Sequence, residues 1–346
     1  MKQFIVLFVL IHSFTLLFGQ NQQDIYPDNK GTELLNLLVS DYKTSTVLSY
    51  NDARDQLWGA IALRNNDSLR CVYTGYTIYI NPSASNPRTE AYNLGINCEH
   101  TWPQSLGAEG QAKSDMHHLF PTREDVNAAR GNLSFNDIPD QQTDTWFRND
   151  KQSTSIPAGH LNEWSEVDAG IVFEPREDHK GNVARAVFYF YAMYKDQSVA
   201  GFLMPYLKTL YQWHYDDPVD EEEEWRDNFI AGKQTGKHNP FVLDSTLIRR
   251  AYFPAYSGGS SSILYIQNDF NLHISQNPFT GNIIIQSDAD QAFTIHLIDL
   301  QGRTLIELPT MSGRYLVLNT QDFPRGLYLL KAVQSDQVFI HKLLVR

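Results

Sequence analysis

Asn97-Cys98-Glu99-His100-Thr101-Trp102, followed by Asp115-Met116-His117-His118-Leu119-Phe120-Pro121 and Val126-Asn127-Ala128-Ala129-Arg130-Gly131-Asn132, is the stretch on which the reading of this chain turns. It gathers a carboxylate, three imidazoles, amides and a guanidinium, groups that can bind a cation, accept a proton and hold an anion. Neighbours on a strand point to opposite faces, so Glu99 and His100 can share a site only where a strand ends or bends. Pro103 supplies the break, since it cannot continue a ladder and biases Trp102 away from helix. Downstream, Thr122 is expected to cap a helix with Arg123, Glu124 and Asp125 in its first turn and Gly131 at its end. Asn127 then lies in mid-helix with Arg130 on the same side. Asn is a poor residue for a helix interior and needs a cause there, either a ligand or a hydrogen bond to a neighbouring loop.

Outward from this cluster the chain reads as α+β. Residues 32–38 and 49–61 carry apolar side chains at helical spacing, and Cys71–Thr74 and Tyr76–Ile80 read as strands ahead of a loop at residues 81–88. Val183–Tyr194 and Phe202–Trp213 read as core helices, and the acidic run Asp220–Glu224 as a helix start suited to the positive end of the helix dipole. Composition changes at Ser257-Gly258-Gly259-Ser260-Ser261-Ser262, a flexible linker by content. Beyond it, residues 282–286, 293–299, 303–308, 315–318, 327–333 and 339–345 are short apolar runs between turn residues, the pattern of a small antiparallel β sandwich. The expected organisation is a signal peptide at 1–19, a mainly helical domain at 20–256, a linker at 257–265 and an all-β domain at 266–346.

Length and composition fit this division: 346 residues, 42% apolar and 20% charged, are ordinary for two globular domains. The apolar run Phe4–Phe18 behind Lys2 is too short and wrongly flanked for a stable membrane span, and reads as a secretory signal. Export bears on Cys71 and Cys98, which are expected to pair outside the cytosol; closing a loop of about 27 residues would stabilise by roughly 3 kcal/mol. A formal charge of −12 points away from a protein that grips nucleic acid through a broad basic surface, but is compatible with an enzyme that neutralises one phosphate locally.

Hydrolysis of a phosphodiester needs charge neutralisation, a nucleophile and a stabilised leaving group. Mg²⁺ serves the first and last with only one or two protein oxygens, for which Glu99 and the Asn127 amide are suited. His100 suits proton removal from water. The combined segments resemble the endonuclease I family of secreted and periplasmic bacterial nucleases, as do residues 173–190 and 216–241. That resemblance, over residues 25–255, implies a ββα-metal (His-Me) finger and a non-specific endonuclease acting on DNA, and on RNA as a further substrate. It also implies one Mg²⁺, with Mn²⁺ or Ca²⁺ as substitutes, and 5′-phosphate products. By position it makes His100 the general base and Glu99 and Asn127 the metal ligands, with His117, His118 and Asn132 supporting.

Two positions depart from the family pattern. Related enzymes carry a phosphate-holding arginine between the Glu-His pair and the Asp-Met-His segment, where this chain offers Lys113; Lys113, or Arg130 reaching across, is the expected substitute. The residue before the glutamate, often arginine in the family, is Cys98, which favours the bridge to Cys71. The tail, with Asn277-Pro278-Phe279, Ile298-Asp299-Leu300-Gln301-Gly302-Arg303 and Pro324-Arg325-Gly326 before residues 327–331, resembles the C-terminal sorting domain of type IX secretion. This implies the type IX machinery as a partner, a secreted or cell-surface location and no stable membrane insertion. Two alternatives stay open: a zinc hydrolase liganded by His100, His117 and His118, and a surface-displayed nucleic-acid-binding protein with a degenerate nuclease site.

Overall fold

A computed structural model of the chain describes residues 23–254, 272–274, 282–287, 293–299, 302–311, 315–319, 323–334 and 337–345. The expected signal peptide at 1–19 and linker at 257–265 lie outside the described residues. The chain divides into two compact units, Met1–Ala255 and Tyr256–Arg346.

The first unit opens with helices α1 (Gly31–Tyr42) and α2 (Tyr50–Arg64). Ser49 caps α2, its hydroxyl accepting from the Asp52 N–H at 3.2 Å. Strands β1 (Ser68–Arg70) and β2 (Thr77–Tyr79) form an antiparallel hairpin, and the expected strand at Cys71–Thr74 is instead its turn. Helix α3 (Pro87–Asn93) starts on a proline, whose missing N–H costs nothing at a helix start. Then come β3 (Ile96–His100), β4 (Leu119–Arg123) and α4 (Glu124–Arg130). Strands β3 and β4 pair antiparallel, with Glu99 opposite Phe120 and His100 opposite Leu119. Thr122 lies within β4 rather than capping α4; the cap position falls to Arg123, because the ladder persists to the Ile96–Arg123 pair. Gly131 ends α4 at φ 55°, a left-handed conformation that favours glycine.

A five-stranded sheet that the sequence reading did not anticipate follows, built from β5 (Ser134–Phe135), β6 (Thr145–Arg148), β7 (Lys151–Ser153), β8 (Ser165–Asp168) and β9 (Val172–Glu174) in the order β5-β9-β8-β6-β7. Helix α5 (Lys180–Met193) is apolar on nearly every side and buried along its length, the condition for a central core helix. Helices α6 (Leu207–Asp216), α7 (Glu221–Lys233), α8 (Pro240–Leu243) and α9 (Leu247–Tyr252) complete the unit. Asp220 caps α7 through the Glu223 N–H at 2.7 Å, so the acidic run does start a helix. Trp102 stacks on Phe190 of α5 at 5.0 Å and meets Phe202 edge-on at 4.7 Å, which fixes the chain immediately beyond β3 to the core.

In the second unit β10 (Leu272–Ile274), β11 (Asn282–Ser287), β12 (Phe293–Ile298), β13 (Thr304–Met311), β14 (Tyr315–Asn319), β15 (Gly326–Gln334) and β16 (Gln337–Val345) form two antiparallel sheets, ordered β10-β11-β14 and β13-β12-β15-β16. The fold class is α+β, and among the described residues every element after the helical unit is a strand.

The bridge between Cys71 and Cys98 is not formed; both thiols are free. The cause is strand order. The Val72 N–H donates to Pro121 O of β4 at 3.0 Å, while Pro121 faces Cys98 across β3 and β4. Strand β4 therefore lies between the two cysteines, and two strand spacings amount to about 10 Å, beyond disulfide reach. The Cys71 sulfur instead accepts from the Arg123 N–H at 3.2 Å, and the Cys98 thiol donates to Glu99 O at 3.6 Å.

Candidate active site

Strand β3 ends at His100, and alternation places Asn97 and Glu99 on one face and Cys98 and His100 on the other. On the first face Glu99 is 1% exposed. Its Oε1 accepts from the Tyr73 hydroxyl at 2.8 Å and pairs with Arg130 Nη1 at 3.0 Å. Burial pushes the Glu99 carboxyl up, against the pull of Arg130 and Tyr73. Arg130 also donates to His100 O at 3.0 Å and Thr101 O at 2.6 Å, and its guanidinium lies 4.6 Å from the Phe135 ring. It thus ties α4 to the end of β3 and is buried, 1% exposed.

Asn127 has its cause. Its Nδ2 donates to Asn97 Oδ1 at 2.7 Å and to Cys98 O at 3.2 Å. Both amide hydrogens are thereby directed at β3, leaving the amide oxygen as the group that can face a ligand. Asn132 lies exposed beyond the end of α4.

On the second face the His100 ring sits 5.3 Å from Tyr50 of α2 and 5.4 Å from His118. Its Nε2 lies 3.0 Å from Lys113 O. A carbonyl only accepts, so Nε2 carries the hydrogen and Nδ1 keeps the lone pair, with the Gln104 amide nitrogen 3.4 Å away. Burial, and next the neighbouring His118, bring the His100 pKa down to about 3, so the ring is neutral at physiological pH.

The segment behind His100 is held from α5 and α7. Asp115 accepts from the Tyr189 and Tyr194 hydroxyls at 2.9 and 2.7 Å and from Gln234 Nε2 at 2.8 Å. Arg226 donates to Met116 O at 2.5 Å and Leu119 O at 2.8 Å. His118 bonds Ala112 O through Nε2 at 2.7 Å and packs edge-on against Phe190. His117 turns the other way, to Lys237 O at 3.0 Å, with Asp227 Oδ1 3.5 Å from its Nδ1. His100, His117 and His118 are therefore not assembled as a zinc trio. Among the described residues no group of three or more His, Cys, Asp or Glu side chains forms a metal cluster. One carboxylate and one amide oxygen suit a hard cation that keeps several waters.

The sequence reading missed Tyr50 and Arg54. Tyr50 packs on His100, Arg54 lies with its guanidinium 3.9 Å from the Tyr50 ring, and Lys113 Nζ is 5.0 Å from the same ring. The Tyr50–Arg54 spacing of one helical turn was the available signal, but nothing local tied it to a strand about fifty residues away.

Residues 29–246 match the family described as Endonuclease I. The chain belongs to the endonuclease I family. Relatives of this endonuclease I chain include the extracellular ribonuclease of Bacillus subtilis (strain 168), 30% identical over 229 residues that cover 61% of this chain and 71% of that protein. The extracellular ribonuclease of Bacillus amyloliquefaciens is 28% identical over 228 residues, with the same coverage. Residues 276–346 match the secretion system C-terminal sorting domain. A solved immunoglobulin-like β-sandwich protein of the DUF3244 family from Bacteroides vulgatus covers 22% of the chain and 86% of its own, at 12% identity and a TM-score of 0.19, a likeness too slight to bear on fold. The endonuclease I chain is a nuclease, a phosphodiester hydrolase, exported by way of a type IX sorting domain to the medium or the cell surface. No helix among the described residues is long and apolar enough to cross a membrane.

Proposed function

We propose that this endonuclease I chain is an exported, non-specific endonuclease that cuts DNA and also RNA, leaving 5′-phosphates, and that residues 1–19 are its cleaved signal. Strands β3 and β4 and helix α4 serve as a ββα-metal finger in this reading. Glu99 and the Asn127 amide oxygen would hold one Mg²⁺, with Mn²⁺ or Ca²⁺ able to replace it. Held by Glu99 and Asn127, such an ion would supply neutralisation of phosphate charge and stabilisation of the leaving oxygen. His100 Nδ1 takes the proton of the attacking water, and the resulting imidazolium keeps its Nε2 hydrogen on Lys113 O. Arg130 and Tyr73 hold the Glu99 carboxylate, and Asn97 turns the Asn127 amide. His117, His118 and Asn132 support the segments around the site.

The observation that carries the reading is the Nε2–Lys113 contact of a buried, neutral His100, the residue that follows the buried Glu99 at the end of β3: it leaves Nδ1 as the nitrogen with a lone pair. RNA as a second substrate is supported by the two Bacillus relatives, both named extracellular ribonucleases. The test is incubation of the full chain with supercoiled plasmid and with single-stranded RNA under Mg²⁺, followed by end-group labelling. Cleavage of both to 5′-phosphate ends supports the proposal; 3′-phosphate or cyclic ends contradict it.

A further inference from the structure

Arg54 is oriented and uncommitted. Its Nε donates to Tyr50 O at 3.1 Å and its Nη2 to Asn51 Oδ1 at 2.7 Å, while the guanidinium lies 3.9 Å from the Tyr50 ring. Two of the roughly five N–H donors of a guanidinium are used, and among the described residues no carboxylate pairs with it. Arg88 nearby is different, being matched to Asp55 at 3.3 Å. Orientation without neutralisation is unusual in a chain of net charge −12, where carboxylates are abundant.

Its position links both faces of β3. Through Tyr50 it borders His100, whose ring is 5.3 Å from Tyr50, and Lys113 approaches the same ring at 5.0 Å. Arg54 also lines a cavity of about 140 Å³ with Trp58, Arg88, Tyr92 and Asn97, and Asn97 is the residue that orients Asn127.

We propose that Arg54 is the phosphate-holding guanidinium of this enzyme, and that with Lys113 it binds the backbone phosphate at the cleaved bond, Tyr50 keeping both cations in place. The proposal rests on the nuclease reading above for which bond is cut. The planar fork of Arg54 matches two non-bridging phosphate oxygens, whereas Lys113 supplies a point charge. The guanidinium thus comes from α2 rather than from the segment between His100 and Asp115.

Full-length protein, wild type and Arg54→Gln, Arg54→Lys and Lys113→Ala, is titrated with a fluorescent DNA duplex in chelator across a salt series, and cleavage kinetics are measured separately with Mg²⁺. Arg70→Gln, a remote exposed arginine paired with Asp178 at 3.3 Å, serves as control. Arg54→Gln keeps the aliphatic stem and an amide donor, so the fold is retained. The expected result is a fall in the salt slope of about one for Arg54→Gln and a loss in kcat/KM of about 10- to 100-fold, partly recovered by Arg54→Lys, with the control unchanged. Binding and kcat/KM of Arg54→Gln both within about twofold of wild type would overturn the proposal. Wild-type protein that binds through Arg54 yet cuts nothing would instead remove the nuclease reading and leave the phosphate site standing.

Discussion

Arg130 Nη1 lies 3.0 Å from Glu99 Oε1, with the two side chains 1% and 2% exposed. A charge pair this deeply buried is a weak source of net stability, but breaking it leaves a carboxylate without its counter-charge. Arg130→Met should therefore destabilise by about 3–5 kcal/mol in urea unfolding at neutral pH. The loss should far exceed that of Tyr73→Phe, which removes one hydrogen bond to the same oxygen and should cost about 1–3 kcal/mol.

Asn127 separates donation from ligation. Asn127→Asp retains an oxygen but loses the hydrogens given to Asn97 Oδ1 and Cys98 O, and sets a second carboxylate against acceptors. Its cleavage activity should fall by about 10- to 100-fold, and Asn127→Ala should fall at least as far. Initial rates over a Mg²⁺ titration check this.

The two free thiols give a redox prediction. Reductant should leave the melting temperature unchanged, and thiol titration should find both cysteines reduced after denaturation. In the native protein Cys98, its pKa raised to about 12 by burial, should resist alkylation at pH 8. Mass spectrometry with and without reductant decides the point.

Glu166 and Glu174 face each other across β8 and β9, and burial, with Glu174 and Asp140 adding to it against the Thr143 hydroxyl, raises the Glu166 pKa to about 8. A carboxyl whose folded pKa exceeds its unfolded value contributes stability below the unfolded pKa, and that contribution is lost as pH rises through the folded one. Glu166→Gln cannot ionise. Its stability relative to wild type should climb between about pH 4.5 and 8, by on the order of 1–3 kcal/mol, in paired denaturant titrations.

What the sequence disclosed was what local chemistry controls. Pro103 marks the end of β3 beside Glu99 and His100, Gly131 ends α4, Asp220 caps α7, and the alternation after residue 282 marks the later strands. Long-range order was not readable. The Cys71–Cys98 bridge failed because β4 runs between the two segments, a fact of strand order and not of spacing. The sheet of β5 to β9 was missed because its strands are two to four residues long and carry little periodicity. The cause of the mid-helix Asn127 was open between ligand and loop contact, and its Nδ2 bonds to β3 show that it makes the contact, with an oxygen left over. Tyr50 and Arg54 come to His100 only by tertiary packing of α2.

The most direct test of the account is plasmid cleavage by wild type and His100→Ala, each with Mg²⁺ and with excess chelator. Wild type is expected to nick the plasmid in a reaction that chelator abolishes, and a folded His100→Ala to cut at a rate about 10²–10⁴-fold lower. Cleavage that survives chelation, or a folded His100→Ala that cuts at the wild-type rate, would contradict it.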